Sequence, residues 1–209
     1  MPLRWEPYTA QQPHWPDAGR CILAQHDDDT VVVYQAFRPA IADHAVTHQR
    51  LDGGGFSLAR MSWIKPNFLW MMFRCGWATK PDQERVVAVT LRRAGFESLL
   101  AAAVASSWDR AQFATQAEWE AAVKRSDVRV QWDPDHGPDG AALARRAVQL
   151  GLRGEALRRY VYAWTVGIED ITAAVRDAHA AWRAGGDAAL STPVERVFHP
   201  RDGGSTLRG

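Results

Sequence analysis

The stretch TVVVYQAF at residues 30–37 decides the fold, because it is the first long apolar run in the chain. Its β-branched and aromatic residues follow one another without the polar alternation of a half-exposed strand. We therefore predict a strand that is buried on both faces. Pro39 then stands where the first turn of a helix tolerates proline, and apolar residues recur at helical spacing up to Leu51. A strand, a tight turn and a helix thus open the folded part of the chain.

Two further segments predict strands. RVVAVTL at 85–91 predicts a second buried strand, and an Ala-rich helix follows it over FESLLAAAVASS. VRVQWDP at 128–134 alternates as a strand does before it enters a turn. Asp133, which stands before Pro134, is then either a turn residue that caps its own backbone or a general base.

The C-terminal third is read mainly as helix. RAVQLGL at 146–152 fits either a strand or a helix. Helical periodicity runs from Gly154 through Trp164 and again from Ile168 to Trp182, and it ends at a pair of glycines. This interpretation places the neighbouring carboxylates of Glu169 and Asp170 on different faces of a helix.

Length and composition favour one globular domain. The chain has 209 residues, of which 46% are apolar and 23% are charged. We predict the α+β class, with a mixed central sheet flanked by helices over residues 21–200. Residues 1–20 contain four prolines and show no periodicity, which predicts an irregular arm. Residues 201–209 predict a disordered tail.

The charge balance and the absence of apolar spans limit the partners. A formal net charge of +1 gives no general attraction to nucleic acid or to a membrane surface. No apolar run approaches the ~20 residues of a membrane span, and the N-terminus lacks the apolar run of a signal peptide. Cys21 and Cys75 lack the spacing of a disulfide framework, so we expect free thiols. We predict a cytoplasmic protein without a membrane partner.

The densest stretch of the chain is FSLARMSWIKPNFLWMMFRCGWATK at 56–80, which follows the Gly-rich link DGGG. It holds four cations and a helix start marked by Pro66. The cations are Arg60, Lys65, Arg74 and Lys80. The N–H groups and the dipole of a helix start attract anions, so this arrangement predicts a phosphate cradle. The alternative is a solvated charged face over an aromatic core.

Polar residues at the end of the first strand mark a second candidate region. Tyr34, Gln35 and Arg38 stand there, where mixed α/β folds tend to place ligands. Their partner is either a ligand or a neighbouring backbone. Among the seven histidines only His44 and His48 have the spacing that puts two imidazoles on one helical face, and no HExxH motif is present, so we expect no metal site.

Six blocks of the sequence carry a family resemblance, and they lie between about residue 20 and residue 198. They are VVVYQAFRPAIADHAV, RMSWIKPNFLWMMFRCGW with TK after it, RVVAVTLRRAGFESLL, VQWDPDH, RAVQLGL and WTVGIEDIT. In these blocks the chain resembles a bacterial family catalogued as domain of unknown function 4291. The resemblance covers nearly the whole domain, but it implies no activity.

The order of strand, helix, Gly-rich link and aromatic segment is also similar to the opening of ADP-ribosyltransferase-like folds. This second resemblance implies NAD bound in a cleft between two short sheets. It also implies a His or Arg at the end of the first strand, a Tyr or Ser in the second block and a Glu on a late strand, so that a Gln at the first of these positions is a departure. The corresponding positions are Gln35, then Ser57 or Ser62, and then Gln149 or Glu155. Gln149 would lack the carboxylate that stabilises an oxocarbenium-like centre.

We accordingly expect one concave pocket that binds a nucleotide ligand. Its predicted lining is Gln35, Arg38, Arg60, Trp63 and Lys65, closed by Gln149 or Glu155, with Tyr34 and Lys80 as further ligand contacts. With NAD as cofactor, the expected reaction is transfer of ADP-ribose to an acceptor. The alternative is a non-enzymatic RNA- or nucleotide-binding module, in which Trp63, Trp70 and Trp77 stack on bases and Arg60, Lys65 and Lys80 meet phosphates.

Overall fold

A computed structural model describes residues 1–201 of the chain. Its strands are β1 (Trp5–Pro7), β2 (Gly19–Arg20), β3 (Leu23–Ala24), β4 (Thr30–Phe37), β5 (Ser62–Ile64), β6 (Arg85–Arg92), β7 (Ala103–Ala105), β8 (Val128–His136), β9 (Ala142–Leu152), β10 (Thr165–Asp170), β11 (Ser191–Pro193) and β12 (Arg196–Val197). Its α-helices are α1 (Tyr8–Gln11), α2 (Pro39–His48), α3 (Phe68–Cys75), α4 (Arg93–Ala102), α5 (Gln116–Arg125), α6 (Gly154–Arg159) and α7 (Thr172–Gly185). Residues 202–209, where we predicted most of the tail, lie outside the described part.

The first predicted strand, β4, is buried on both faces. It belongs to a three-stranded antiparallel sheet ordered β10-β6-β4. Val31 and Val33 point into one hydrophobic core, whereas Val32 and Tyr34 point into a second core on the other face. The second predicted strand, β6, divides its side chains between the two cores in the same way. The unbroken apolar runs therefore indicate strands that are buried on both faces.

The larger sheet is mixed. Its order is β2-β9-β8-β7, and β5 pairs with the end of β9. The pairs β2–β9 and β7–β8 are parallel, whereas β8–β9 and β5–β9 are antiparallel. The ambiguous segment 146–152 is a strand, because Val148, Leu150 and Leu152 alternate into the first core while Gln149 faces the other way. The chain has the predicted α+β fold, with sheets flanked by helices.

A backbone bridge between Tyr34 and Lys65 joins the two sheets. The N–H of Tyr34 donates to the carbonyl of Lys65 over 2.7 Å, and the N–H of Lys65 donates to the carbonyl of Tyr34 over 3.2 Å. This bridge joins β4 of the small sheet to the chain that leaves β5 of the large sheet. The first core fills the space between the sheets, and α3 and α7 cover the second core.

The first twenty residues are more regular than we predicted. Trp5 pairs with Pro193 in a short antiparallel ladder between β1 and β11. The indole N–H of Trp15 donates to the carbonyl of Glu195 over 3.0 Å. These contacts join the N-terminal segment to residues near the other end of the described chain. The local sequence around the prolines does not indicate so distant a partner.

The predicted start of the last helix at Ile168 is wrong, because residues up to Asp170 form a strand and α7 begins at Thr172. A π-helical turn over Tyr160–Trp164 ends α6, and β10 follows directly. Ile168 pairs with Val89, so β10 covers the free edge of β6. Asp170 forms an ion pair with Arg85 on that neighbouring strand. The hydrogen bonds and packing gained by pairing with the edge of β6 therefore outweigh the helical periodicity of this segment.

Cys21 and Cys75 are buried and unpaired, as predicted. None of the helices in residues 1–201 is both long enough and apolar enough to cross a membrane.

Candidate functional site

A polar cleft of about 330 Å³ opens beside the junction of the two sheets. The end of β4 forms one wall, β5 and α3 form the next, and β8 with β9 form the floor. Its polar lining includes Gln35, Ser62, Lys65, Arg74, Gln131 and Gln149, and Trp63 contributes an indole. Residues far apart in the sequence therefore meet here because the Tyr34–Lys65 bridge brings the sheets together.

Lys65 is the unusual group of the cleft, because only 4% of the residue is exposed. Burial lowers the pKa of its amine to about 8, and the neighbouring charge of Arg74 acts in the same direction. Asp133 and Cys75 partly oppose this effect. Within residues 1–201 no hydrogen bond or ion pair reaches the amine. Lys65 therefore presents an amine to the cleft without a protein partner for its charge.

Arg74 adds a second cation to the wall that α3 forms. Its side chain is exposed, and in the described part of the chain its guanidinium makes no ion pair. The two cations are close enough to interact, since the charge of Arg74 is the second largest cause, after burial, of the lowered pKa of Lys65. Two unpaired cations at one wall favour an anionic ligand.

Two amides at the floor of the cleft, Gln131 and Gln149, hold a carboxylate between them. Nε2 of Gln131 donates to Oδ1 of Asp133 over 2.7 Å, and Nε2 of Gln149 donates to Oδ2 over 2.7 Å. Gln131 lies directly opposite Gln149 in the β8–β9 ladder, and Asp133 lies two residues further along the same face of β8. Because the carboxylate holds both amide nitrogens, the two amide oxygens are available as hydrogen-bond acceptors.

Gln35 is a structural brace between elements rather than a free ligand contact. Its Nε2 donates to Oγ of Ser62 over 2.8 Å and to the carbonyl of Trp63 over 3.1 Å. Its Oε1 accepts a hydrogen bond from the hydroxyl of Tyr160 over 2.7 Å. Both amide protons and one lone pair are thus used by the protein. Gln35 therefore offers a ligand at most the second lone pair of its Oε1.

Comparison with protein families places nearly the whole described fold in one of them. Residues 21–198 match the family described as Domain of unknown function (DUF4291). The chain belongs to the DUF4291 family. Among curated proteins, none matches the chain significantly.

The DUF4291 domain brings together four of the residues that we predicted for the site. Gln35, Trp63, Lys65 and Gln149 all line the cleft. The predicted Glu155 does not line it. Its side chain is exposed on α6 and pairs with Arg159, and it lines a separate groove that α4 and α5 also border. Of the two alternatives, Gln149 lines the cleft and Glu155 does not.

Four other predicted ligand contacts lie elsewhere. Arg38 and Arg60 are exposed and do not line the cleft. Lys80 donates to the carbonyls of Phe73 and Arg74, so it covers the C-terminal end of α3. Tyr34 turns into the second core, where burial raises the pKa of its hydroxyl. These four residues lie outside the cleft because of the directions in which their side chains leave the backbone. The spacing of residues in the sequence does not predict those directions.

The predicted phosphate cradle at the helix start is wrong in its geometry. The helix begins at Phe68 rather than at Pro66, and Oδ1 of Asn67 accepts from the N–H of Trp70 over 2.6 Å. The carboxylate of Glu195 accepts from the N–H of Phe68 over 2.5 Å. The side chains of Asn67 and Glu195 therefore occupy two of the N–H groups that an anion would need at this helix start.

The three tryptophans proposed as stacking faces do not form a common platform. Trp70 and Trp77 are 7% and 8% exposed, so their rings are buried in the protein. Trp70 stacks on His136, and Trp77 stacks on His179. Only Trp63 of the three lines the cleft. The DUF4291 domain thus uses most of this aromatic content for packing.

The sequence reasoning missed the partner roles of Gln131 and Tyr160. A signal existed for Gln131, since it stands two residues before Asp133 on an alternating strand and so shares its face. Tyr160 gave no such signal, because its contact with Gln35 spans 125 positions. Among residues 1–201 no group of three or more His, Cys, Asp or Glu side chains is arranged to hold a metal ion.

Proposed function

We propose that this domain binds a phosphate-bearing ligand of the nucleotide class in the cleft between its two sheets. One observation carries the proposal: Lys65 is buried at the cleft without a protein partner for its amine, and Arg74 stands beside it. A buried cation needs a counter-charge, which a phosphate group supplies.

The floor of the cleft supports a sugar next to that phosphate. The amide oxygens of Gln131 and Gln149 are acceptors, and Asp133 holds their nitrogens. Hydroxyl groups of a ribose donate to such acceptors. Trp63 offers an aromatic face to a base at the side of the cleft.

NAD fits this donor set in part. A cleft of about 330 Å³ lies near the lower end of the range for ligand pockets, about 300–1,000 Å³. It suits one nucleotide half of NAD, and the other half would extend through the mouth. When bound, NAD would supply an ADP-ribosyl group and a nicotinamide leaving group. Lys65 and Arg74 would hold its phosphates, and Asp133 would orient the amides of Gln131 and Gln149 for the sugar.

Binding is better supported than transfer. A late Glu was the expected catalytic carboxylate, but Gln149 carries an amide and Glu155 lies outside the cleft. ADP-ribosyl transfer would therefore depend on Asp133, whose two oxygens already accept hydrogen bonds. The RNA-binding alternative has less support, because two of its three stacking rings are buried.

The test is calorimetric titration of the full chain with AMP, ADP-ribose, NAD, adenosine and a short single-stranded RNA. We expect AMP or ADP-ribose to bind at least about tenfold more tightly than adenosine, since a tenfold change corresponds to only about 1.4 kcal/mol. Lys65→Met and Arg74→Ala should each remove most of that difference. Arg60→Ala is the matched control, because Arg60 is an exposed cation from the same segment outside the cleft.

Three results would contradict the proposal. They are no binding of any nucleotide by the wild type, equal binding of AMP and adenosine, and an Arg60→Ala loss as large as that of Arg74→Ala. Tighter binding of RNA than of mononucleotides would favour the alternative module.

A further inference from the structure

Lysine is rare in this chain, and one of its few lysines is buried. Only Lys65, Lys80 and Lys124 stand among the 25 lysines and arginines. Lys80 and Lys124 are exposed, as charged side chains normally are. Lys65 is 4% exposed and lines the cleft. The chain thus places lysine at a buried position although it uses arginine for nearly all of its other cations.

The buried arginines show how this chain normally compensates an internal cation. Arg145 forms an ion pair with Asp135 over 2.7 Å, and Arg93 pairs with Glu97 over 3.0 Å. Arg129 donates to several backbone carbonyls, including that of Ser126 over 3.0 Å. Lys65 has no such partner in the described part of the chain. Because arginine stays charged in proteins whereas a buried lysine can lose its proton, Lys65 differs from the buried arginines in chemistry as well as in environment.

We propose that the amine of Lys65 is a nucleophile that forms an imine with the carbonyl carbon of a phosphate-bearing aldehyde, such as an open-chain sugar phosphate. This inference rests on the proposed function, since Arg74 would hold the phosphate while Lys65 reacts. Burial and the neighbouring Arg74 lower the pKa of Lys65 to about 8, so a large share of the amine is neutral at mildly alkaline pH.

The reaction is a condensation that needs no oxidant. The lone pair of the neutral Lys65 amine attacks the carbonyl carbon, and a C–N bond forms while the carbonyl π bond opens. A proton moves from nitrogen to oxygen to give a carbinolamine. The nitrogen lone pair then forms the C=N bond as the C–O bond breaks, and the hydroxyl group leaves as water together with the second proton of the amine. A hydride reagent that adds to this carbon converts the imine into a stable secondary amine.

The test is reductive trapping on the full wild-type chain with cyanoborohydride and glycolaldehyde phosphate. Proteolysis and mass spectrometry then measure the label at each lysine, and the two exposed lysines are internal controls. We expect Lys65 to be labelled at least about tenfold faster than Lys80 or Lys124, because burial raises its neutral fraction relative to a lysine of ordinary pKa. Urea unfolding before labelling should abolish this preference. Equal labelling of the three lysines in the folded protein would overturn the inference.

Two further arms separate this inference from the proposed binding function. Glycolaldehyde without phosphate tests the amine alone, and inorganic phosphate tests competition for Arg74. Selective labelling of Lys65 by both aldehydes, without competition by phosphate, would support the nucleophile and contradict the phosphate site. Nucleotide binding without any selective labelling would leave the binding proposal intact and overturn the imine. Lys65→Arg gives a variant that keeps a cation but has no imine-forming amine, so its folded form should still bind phosphate.

Discussion

The hydroxyl of Tyr160 donates a 2.7 Å hydrogen bond to Oε1 of Gln35, and both residues are buried. This bond ties the wall of the cleft to the π-helical turn that precedes β10. Tyr160→Phe would leave the oxygen of Gln35 without its donor. We expect a loss of about 1–3 kcal/mol in the free energy of unfolding, which is the cost of an unsatisfied buried polar group. Urea denaturation measures it.

Tyr162→Phe is the matched control for this prediction. Tyr162 is 52% exposed, two residues along the same turn, and its ring would be retained. Tyr162→Phe should change the free energy of unfolding by no more than about 0.5 kcal/mol, as most surface substitutions do. Equal effects of the two changes would show that the Gln35–Tyr160 bond contributes nothing measurable.

Stability should depend on the protonation of Lys65. The pKa of its amine is about 8 in the folded protein, below the ordinary value of 10.5, mainly because of burial. Between these values the unfolded chain binds more protons than the folded chain, so the free energy of unfolding rises with pH. Arg74 and Cys75 on α3, and Asp133 on β8, are the charged and titratable groups that act on the amine.

Lys65→Met should remove this rise. At pH 7 the variant should be more stable than the wild type by up to about 3 kcal/mol, and the gap should close towards pH 10. Urea denaturation across this range checks the slope. Lys124→Met, at an exposed position on α5, should leave the slope unchanged. A wild-type stability that does not rise between pH 8 and pH 10, relative to Lys65→Met, would contradict the prediction.

Glu195 should act in the opposite direction. Burial raises the pKa of its carboxyl to about 8, although the N–H of Phe68 opposes that effect. Between the ordinary value of 4.5 and about 8, the folded chain holds a proton that the unfolded chain has lost, so stability falls as pH rises. Glu195→Gln should remove this fall and retain an acceptor for Phe68. Glu169→Gln, at an exposed position on β10, is the control, and a fall that persists in Glu195→Gln would count against the prediction.

Gly151 allows Trp63 to lie close to β9. A Cβ atom at Gly151 would stand 2.7 Å from Sδ of Met61 and 3.0 Å from the indole of Trp63. We expect Gly151→Ala to cost about 1–3 kcal/mol through overpacking and to shift Trp63 at the cleft. Gly167→Ala on β10 is the control, since its Cβ would meet only Thr90 at 3.9 Å. Unchanged nucleotide affinity and stability in Gly151→Ala would contradict the role of this close approach.

Local patterns predicted the parts of the fold that depend on neighbouring residues. The apolar runs of β4 and β6 predicted strands covered on both faces, because a strand must be apolar throughout to face two cores. The polar end of β4 also predicted a site near Gln35 and Lys65, and the cleft lies there. ADP-ribosyl transfer and nucleotide binding stay predictions, which the titrations above address.

The errors came from contacts between distant parts of the chain. Glu195 reaches the start of α3 across 127 positions, and β1 pairs with β11 near the opposite end of the described chain. β10 is a strand because β6 offers it an edge, although its sequence also has helical periodicity. Arg60 and Arg38 were expected at the site by their spacing, but both are exposed and neither lines the cleft. Such outcomes depend on which surfaces are left uncovered after the first elements pack.

The backbone bridge between Tyr34 and Lys65 has a consequence for the energetics of ligand capture. Two hydrogen bonds fix the main chain of Lys65, and the ring of Pro66 restricts the next φ angle. The backbone of Lys65 is thus rigid before any ligand binds, so this wall of the cleft loses little backbone entropy on association. Affinity should then be governed by removal of water from the amine and from the incoming anion. Higher ionic strength should weaken the attraction between the anion and the exposed guanidinium of Arg74 more than its attraction to the enclosed amine of Lys65.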